Sequence, residues 1–437
     1  MSRREEANPF LDIDRRIVGD AGTSDEVGRN LHELCDRIGP RFAGTEGYRK
    51  AAEFMRDRFK AYGLARAQLE SFTFPGWRRG APARLRLVTP VARDFPCLSL
   101  PYGAATGPEG IKAAWIAIGG ADDLEALGRR IRGRLVLAEG RGGHRQEIQA
   151  RCAAAGAAGV LYANPAEGMV LHTGSVASGQ LSPIPAVSIA RETAAELRRW
   201  AADGGTRLHL FTDGAVEPCE TWNVVGEWRG VSRPEERVII GGHLDSHDIG
   251  PGAYDNAAGV LLVMEVARLL APHRRRLKRT IRFVGFAAEE LGLHGSHHHA
   301  RAHAAALRKT RFMLNCDTPA LGRPHGLAFH RCARAEAWVA RLAAQMGEEI
   351  SFANRFHRFS DHYPFLRRGV LTAGVGGRAG LSRGGAFSHM AADTPDKLAV
   401  GELRDTAAFA ARIMLRAAGD EAWPALKPER ERSEPRA

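Results

Sequence analysis

Two histidines and five acids stand at ordered positions in the second half of the chain. His243 and Asp245 lie in Gly242-His243-Leu244-Asp245-Ser246, and Asp255 in Gly252-Ala253-Tyr254-Asp255-Asn256. Glu289-Glu290, Asp317 and His389 follow. These are the side-chain types of a two-cation hydrolytic centre. Such a centre needs imidazole and hard oxygen donors, one carboxylate that touches both cations, and one left free to move protons. The chemistry would be metal-assisted hydrolysis.

The elements that must position these groups read as alternating strands and helices. Val238-Ile239-Ile240-Gly241, Thr280 to Phe286, Phe312-Met313-Leu314 and Val370 to Ala373 have the apolar texture of strands. Val260 to Leu270 reads as a helix with an apolar face. This alternation predicts an α/β fold, a mostly parallel sheet covered by helices on both faces. His243 and Asp245 follow one strand directly, Glu289 and Glu290 a second, and Asp317 a third. Ligands of open α/β sheets bind beyond the carboxyl ends of the strands, so three strands deliver polar groups to one edge. His389 comes from a later loop.

Each group has a plainer reading. Asp255 stands where a helix from Asn256 to Leu270 begins, and aspartate is a good N-cap; its other use is to give one oxygen to each of two metals. Glu289 and Glu290 could be exposed glutamates at a helix start. Being consecutive, they point in different directions, so one can ligate while the other faces the water and serves as general acid/base. Asp245 is placed to hydrogen-bond the His243 ring nitrogen turned away from a metal. His297-His298-His299 and His303 read mostly as surface residues, because consecutive helical residues do not share a face. His247 is left open. Ser360-Asp361-His362 has no GxSxG elbow and makes a weak serine triad.

The 437-residue chain is long enough for two domains or one large domain with an insertion, and 44% hydrophobic content supports buried cores. A helix striped by Ala51, Ala52, Phe54, Met55, Phe59 and Leu64 precedes a strand near Phe72-Thr73-Phe74. Between residues 84 and 214 the texture changes to a self-contained α/β insertion. Its strands are Arg134 to Ala138, Gly159 to Ala163, Ile184 to Ile189 and Arg207 to Phe211. Its helices are Arg151 to Gly156 and Glu192 to Ala202. The predicted divisions are 1–83 and 215–425 for the main domain, 84–214 for the insertion, and 426–437 for a flexible tail. The formal charge of +12 is spread along the chain and fits compositional bias better than nucleic-acid binding. The N-terminus lacks the apolar run of a secretory signal, no stretch has membrane-span length, and six cysteines lack CxxC spacing. A cytoplasmic location without membrane contact is the expectation.

Taken together, these blocks resemble those of the di-zinc aminopeptidase family that also contains aminopeptidase Y, glutamate carboxypeptidase II and carboxypeptidase Q. Gly39-Pro40-Arg41-Phe42-Ala43-Gly44-Thr45 with the helix from Glu46 to Phe59 is similar to the family's opening segment. The blocks around His243, Asp255, Glu289-Glu290, Asn315-Cys316-Asp317, Ser360-Asp361-His362, His389 and Asp393-Thr394 follow in family order. The insertion resembles a protease-associated domain through Ala153 to Gly159 and Ile184-Pro185-Ala186-Val187. The resemblance implies two zinc ions, one held by His243 and Asp317, the other by Glu290 and His389, with Asp255 bridging. It implies Glu289 as general acid/base and Asp245 as the orienting partner of His243.

The implied activity is removal of N-terminal residues from a peptide substrate. A carboxypeptidase or dipeptidase could use the same site, with Arg378 and Arg383 as candidate carboxylate binders, and a non-catalytic receptor-like relative would lack several ligands that are present here. Imidazole with carboxylate favours zinc and admits manganese or cobalt; near one zinc per chain would favour a glutaminyl-cyclase-like reading. The sequence sets no oligomeric state, and a homodimer stays open.

Overall fold

The computed structural model describes residues 8–202, 205–377, 384–421, 423–424 and 426–429. Its largest feature is an eight-stranded sheet. In spatial order the strands are Ala65–Arg79, Gly214–Trp228, Arg279–Phe286, Arg233–His243, Thr310–Asn315, Thr372–Gly377, His325–His330 and Ile350–Arg355. The four from Arg279–Phe286 to Thr372–Gly377 run parallel. On either side of them the pairing turns antiparallel, and the last pair is parallel again. The sheet is therefore mixed, and the parallel character expected of it is concentrated at the centre. The reason on one side is topological: the chain leaves after Arg79 for the insertion and returns at Gly214 alongside the strand it left.

Both faces of the central strands are covered, so these strands are apolar on both sides. Val238, Ile240, Ile281, Phe283, Phe312 and Leu314 enter one core with the helices Glu46–Tyr62, Ala258–Leu270 and Val400–Gly419. Ile239, Val284 and Met313 point the other way, onto Ala300, Leu307 and Phe365. The two-residue alternation of strand side chains produces this division. Ala258–Leu270 is buried almost all round rather than along one stripe, as a helix sandwiched between sheet and outer helices must be.

Several helices were not read from the sequence: Leu11–Thr23, Glu26–His32, Ala335–Met346 and Val400–Gly419. The first and last are joined by charge. Arg416, fully buried, donates from Nη1 to Asp14 Oδ1 (3.0 Å) and from Nη2 to Oδ2 (2.7 Å). Burial works against the Asp14 carboxylate, but Arg416 holds its pKa below the ordinary value.

A second ion cluster ties the N-terminal helices to the Glu46–Tyr62 helix. Glu26 is buried and accepts from Arg29 (2.8 Å), Tyr62 Oη (2.8 Å) and Arg58. Burial alone would raise its pKa, but these donors lower it from 4.5 to about 2. Its stabilising contribution is therefore complete above 4.5 and is lost as pH falls towards 2. Glu26→Gln is expected to cost about 1–3 kcal/mol at neutral pH. Denaturant midpoints of variant and wild type should converge as the pH is lowered through the carboxylate range.

The insertion forms its own eight-stranded sheet between Arg84 and Phe211, parallel across Ile111–Gly120, Leu135–Gly142, Gly159–Ala163 and Ala186–Ile189. Separate apolar clusters cover its two faces. One helix begins earlier than the sequence indicated: Arg145–Ala154 starts at His144, whose Nδ1 accepts from the Gln146 N–H (3.3 Å). This places Arg145 at the helix tip. At the other end of the chain, Lys427–Glu429 dock on residues 331–333 rather than hanging free; the rest of the expected tail lies outside the described residues.

Candidate metal centre

The carboxyl ends of three adjacent parallel strands converge as expected. His243 closes Arg233–His243. Glu289 and Glu290 occupy the turn after Arg279–Phe286, and Asp317 lies two residues beyond Thr310–Asn315. Gly242 is required here, because a Cβ at this position would stand 2.3 Å from the Cys316 carbonyl oxygen.

Asp255 is not an N-cap. It lies in the turn Ala253–Ala257 with φ −116° and ψ 89°, and the helix proper starts at Ala258. The capping task falls to Asn256, whose Oδ1 accepts from the Gly259 N–H (3.1 Å) and whose Nδ2 donates to the Cys316 carbonyl (2.8 Å). Asp393, buried, accepts the Tyr254 and Asp255 N–H groups at 2.8 and 2.9 Å. The Asp255 side chain is thereby released from local duties and aimed inward.

There its two oxygens serve two different imidazoles. Oδ1 lies 3.2 Å from His243 Nε2, which is also 3.4 Å from Asp317 Oδ1. Oδ2 lies 3.2 Å from His389 Nε2, which is 3.4 Å from Glu290 Oε2. The five residues proposed as ligands thus form two donor groups joined by one carboxylate. Glu289 lines the same cavity, of about 410 Å³, and makes none of these close contacts.

The electrostatics follow from crowding. Burial would discharge Asp255, but His243 and His389 keep its pKa well below the ordinary value. Burial would likewise neutralise the imidazoles, yet the surrounding carboxylates raise His243 strongly and His389 to about 9. Glu289 behaves oppositely: burial, reinforced by Asp317, Glu290 and Asp361, pushes its pKa well above the usual carboxylate range. It is the member of the set disposed to carry a proton.

Residues 223–414 match the profile of peptidase family M28. Over that stretch the chain resembles the M28 peptidases. It is 29% identical to carboxypeptidase Q of Mus musculus over 349 residues, covering 76% of this chain and 74% of the relative. Its fold is that of the peptidase M28 precursor from Shewanella amazonensis, with TM-score 0.83, 23% identity, and 96% and 99% of the two chains covered. BSAP, a zinc aminopeptidase from Bacillus subtilis, aligns with TM-score 0.72 at 22% identity, covering 91% of this chain and 96% of its own.

Within this chain the donor set fits divalent cations. Imidazole and carboxylate are the ligands borderline and hard ions take, and the buried Glu290 Oε1 has no hydrogen-bond partner. Asp245 departs from its expected geometry. His243 Nδ1 is hydrogen-bonded to the Asp245 backbone carbonyl (3.1 Å), whereas the carboxylate stands 3.7 Å away. That carboxylate instead accepts the Glu289 and Glu290 N–H groups at 3.2 and 3.1 Å. Asp245 therefore fixes the turn that presents both glutamates as well as touching the His243 side.

Further residues complete the setting. His247, left open by the sequence, is buried with Nε2 2.8 Å from Glu290 Oε2. Arg41 is fully buried and donates to the Leu244 and Gly252 carbonyls at 2.9 and 3.0 Å, tying down the loop between His243 and Asp255. Ser360 Oγ donates to Asp317 and accepts from Asn315, so no serine triad forms with His362. His299 is buried, not a surface residue. Together with His303, one helical turn on, it faces Glu70 at 3.0–3.2 Å. Among these, Ser360 lay within a quoted block, whereas the Glu70 partnership bridges 229 residues and left no local signal.

The insertion reaches the same cavity with His144, Arg145 and Ser175. Thr173 N–H donates to the His389 carbonyl (2.8 Å), and His389 Nδ1 lies 3.2 Å from the Thr173 carbonyl. His172 and Met390 form an isolated antiparallel bridge, and Ser175 Oγ donates to the Glu290 carbonyl. Arg378 and Arg383, the arginines considered from sequence, lie outside the described residues. No described helix is long and apolar enough to cross a membrane.

Proposed function

We propose that this chain is a two-metal exopeptidase that releases N-terminal residues from peptides. His243 and Asp317 would hold one cation and Glu290 and His389 the other, with Asp255 contributing to both. The supporting observation is the reach of Asp255, whose two oxygens face His243 and His389 separately. The imidazole-carboxylate donor set and the zinc aminopeptidase of the same fold favour zinc, with manganese or cobalt acceptable to the same ligands. When bound, such ions supply a Lewis acid for the scissile carbonyl and a more acidic water. Glu289 accepts the proton of the attacking water and returns it to the departing amine. Asp245 holds the Glu289–Glu290 turn in place for this transfer. Elemental analysis with a panel of amino-acid p-nitroanilides tests the proposal: two ions per chain, chelator-sensitive release of p-nitroaniline and no cleavage of N-blocked peptides are expected.

One observation favours the alternative, recognition of a C-terminal carboxylate. Arg145 Nη2 lies 3.4 Å from His389 Nδ1, in the cavity. With His389 Nε2 turned to the carboxylates, Nδ1 carries the proton and offers Arg145 no acceptor. Arg145 Nε is buried without a partner, and no described carboxylate stands within ion-pair distance. A peptide carboxylate would satisfy it. On this reading Arg145→Met raises KM by about 10–100-fold for free dipeptides and leaves the matching C-terminal amides unchanged. Equal effects on both would leave the aminopeptidase reading alone.

A further inference from the structure

At the edge of the cavity just described, three more imidazoles meet on the other side of Asp317. His330 ends the strand His325–His330, His357 follows Ile350–Arg355, and His362 precedes the short helix Tyr363–Leu366. Each offers a ring nitrogen, and these atoms all lie within 4.8 Å of one another. The His330 and His362 rings stack at 3.6 Å, with His357 edge-on at 4.6 Å to His362. His330 and His357 line a side cavity of about 270 Å³ that shares Asp317, Thr318 and His357 itself with the larger one.

Hydrogen bonds fix which nitrogens are free. His330 Nδ1 is 2.9 Å from Thr372 Oγ1, and His362 Nε2 is 3.0 Å from the His357 carbonyl. A carbonyl can only accept, so His362 Nε2 carries the proton and Nδ1 the lone pair. That Nδ1 is buried and unpartnered, in a side chain with no solvent exposure. An imidazole whose outer nitrogen is held by a backbone carbonyl, with the inner one bare, is in the state of a metal ligand. Protonation is a poor alternative. No described carboxylate pairs with any of the three, and burial lowers the His330 and His362 pKa values to about 3 and about 2. The Glu70, His299 and His303 group differs, because there a carboxylate already satisfies both imidazoles and Arg282 stands beside it.

We infer that His330, His357 and His362 form a further metal-binding site, separate from the two donor groups around Asp255, for a borderline divalent ion such as zinc. Three imidazoles without a carboxylate select this class over magnesium or calcium. The ion would tie together the ends of two strands and the turn carrying Ser360, the residue that hydrogen-bonds Asp317. The site stands on its own residues and does not depend on the exopeptidase reading.

The test counts ions by difference, so the occupancy of the first centre does not enter. Full-length wild type and His357→Ala, at an exposed position, are equilibrated with zinc, freed of excess, and analysed for metal. One ion fewer per chain is expected in the variant. Labelling of His357 by diethyl pyrocarbonate, read by mass spectrometry, supplies a second measurement. Zinc should protect His357 in wild type and fail to do so in His330→Phe, whose aromatic ring preserves the stack. Equal metal content in wild type and His357→Ala, or labelling of His357 that zinc leaves unchanged, overturns the inference.

Discussion

Glu289→Gln is expected to lower kcat by about 10²–10⁴-fold, the range over which a positioned general acid/base contributes, while metal content stays that of the wild type. The asymmetry follows from the geometry. Glu289 lines the cavity but makes no close contact with the two donor groups, so its amide analogue disturbs neither. Its backbone N–H remains bonded to Asp245, so the turn presenting Glu290 is preserved. The amide cannot accept the proton of the attacking water. Parallel measurement of kcat and bound metal decides the matter. A variant that retains full turnover, or one that loses its ions, would remove Glu289 from the proton-transfer role.

Asp255→Ala is expected to produce the complementary phenotype: both ions weakened by more than about 100-fold and turnover lost. Even the outer hydrogen-bond partners of a ligand are worth about 10–100-fold in affinity, and Asp255 faces both donor groups at once. The fold should survive. The helix Ala258–Leu270 takes its cap from Asn256, and Asp393 grips the backbone N–H of residue 255, not its side chain. Far-ultraviolet circular dichroism should therefore be unchanged while equilibrium dialysis shows the loss of metal. If only one ion were lost, Asp255 would belong to a single donor group.

The part of this architecture that was legible in the chain is the part with local signals. Val238–Gly241 is an apolar run and Thr280–Phe286 a mainly apolar one, interrupted by Arg282, which is buried against Glu227; both end shortly before His243 and Glu289, and such runs are the usual mark of strands covered on both faces. The grouping of His243, Glu290 and Asp317 followed from their places after strands, whereas Asp255 and His389, in a turn and a loop, were set beside them by the family resemblance. What escaped depended on distant partners. Arg41 looks like any arginine until its guanidinium meets the Leu244 carbonyl 203 residues away. Arg145 reaches His389 across 244 residues from a helix of the insertion. Asp245 was expected to act on His243 through its carboxylate. The backbone carbonyl is closer, because the carboxylate is engaged by the amides after Ala288. Asp255 was misplaced as a possible cap because the turn from Ala253 delays the helix start.

The seam between Thr173 and His389 constrains how this chain can change over generations. Each of these residues hydrogen-bonds the other, and their neighbours His172 and Met390 are bridged. A chimera that exchanges residues 84–211 for the corresponding piece of a relative, and nothing else, would import a foreign edge against His389. Recombination along this gene should succeed only where both halves of the seam travel together, so the two segments are expected to be inherited as a matched pair despite the 216 residues between them.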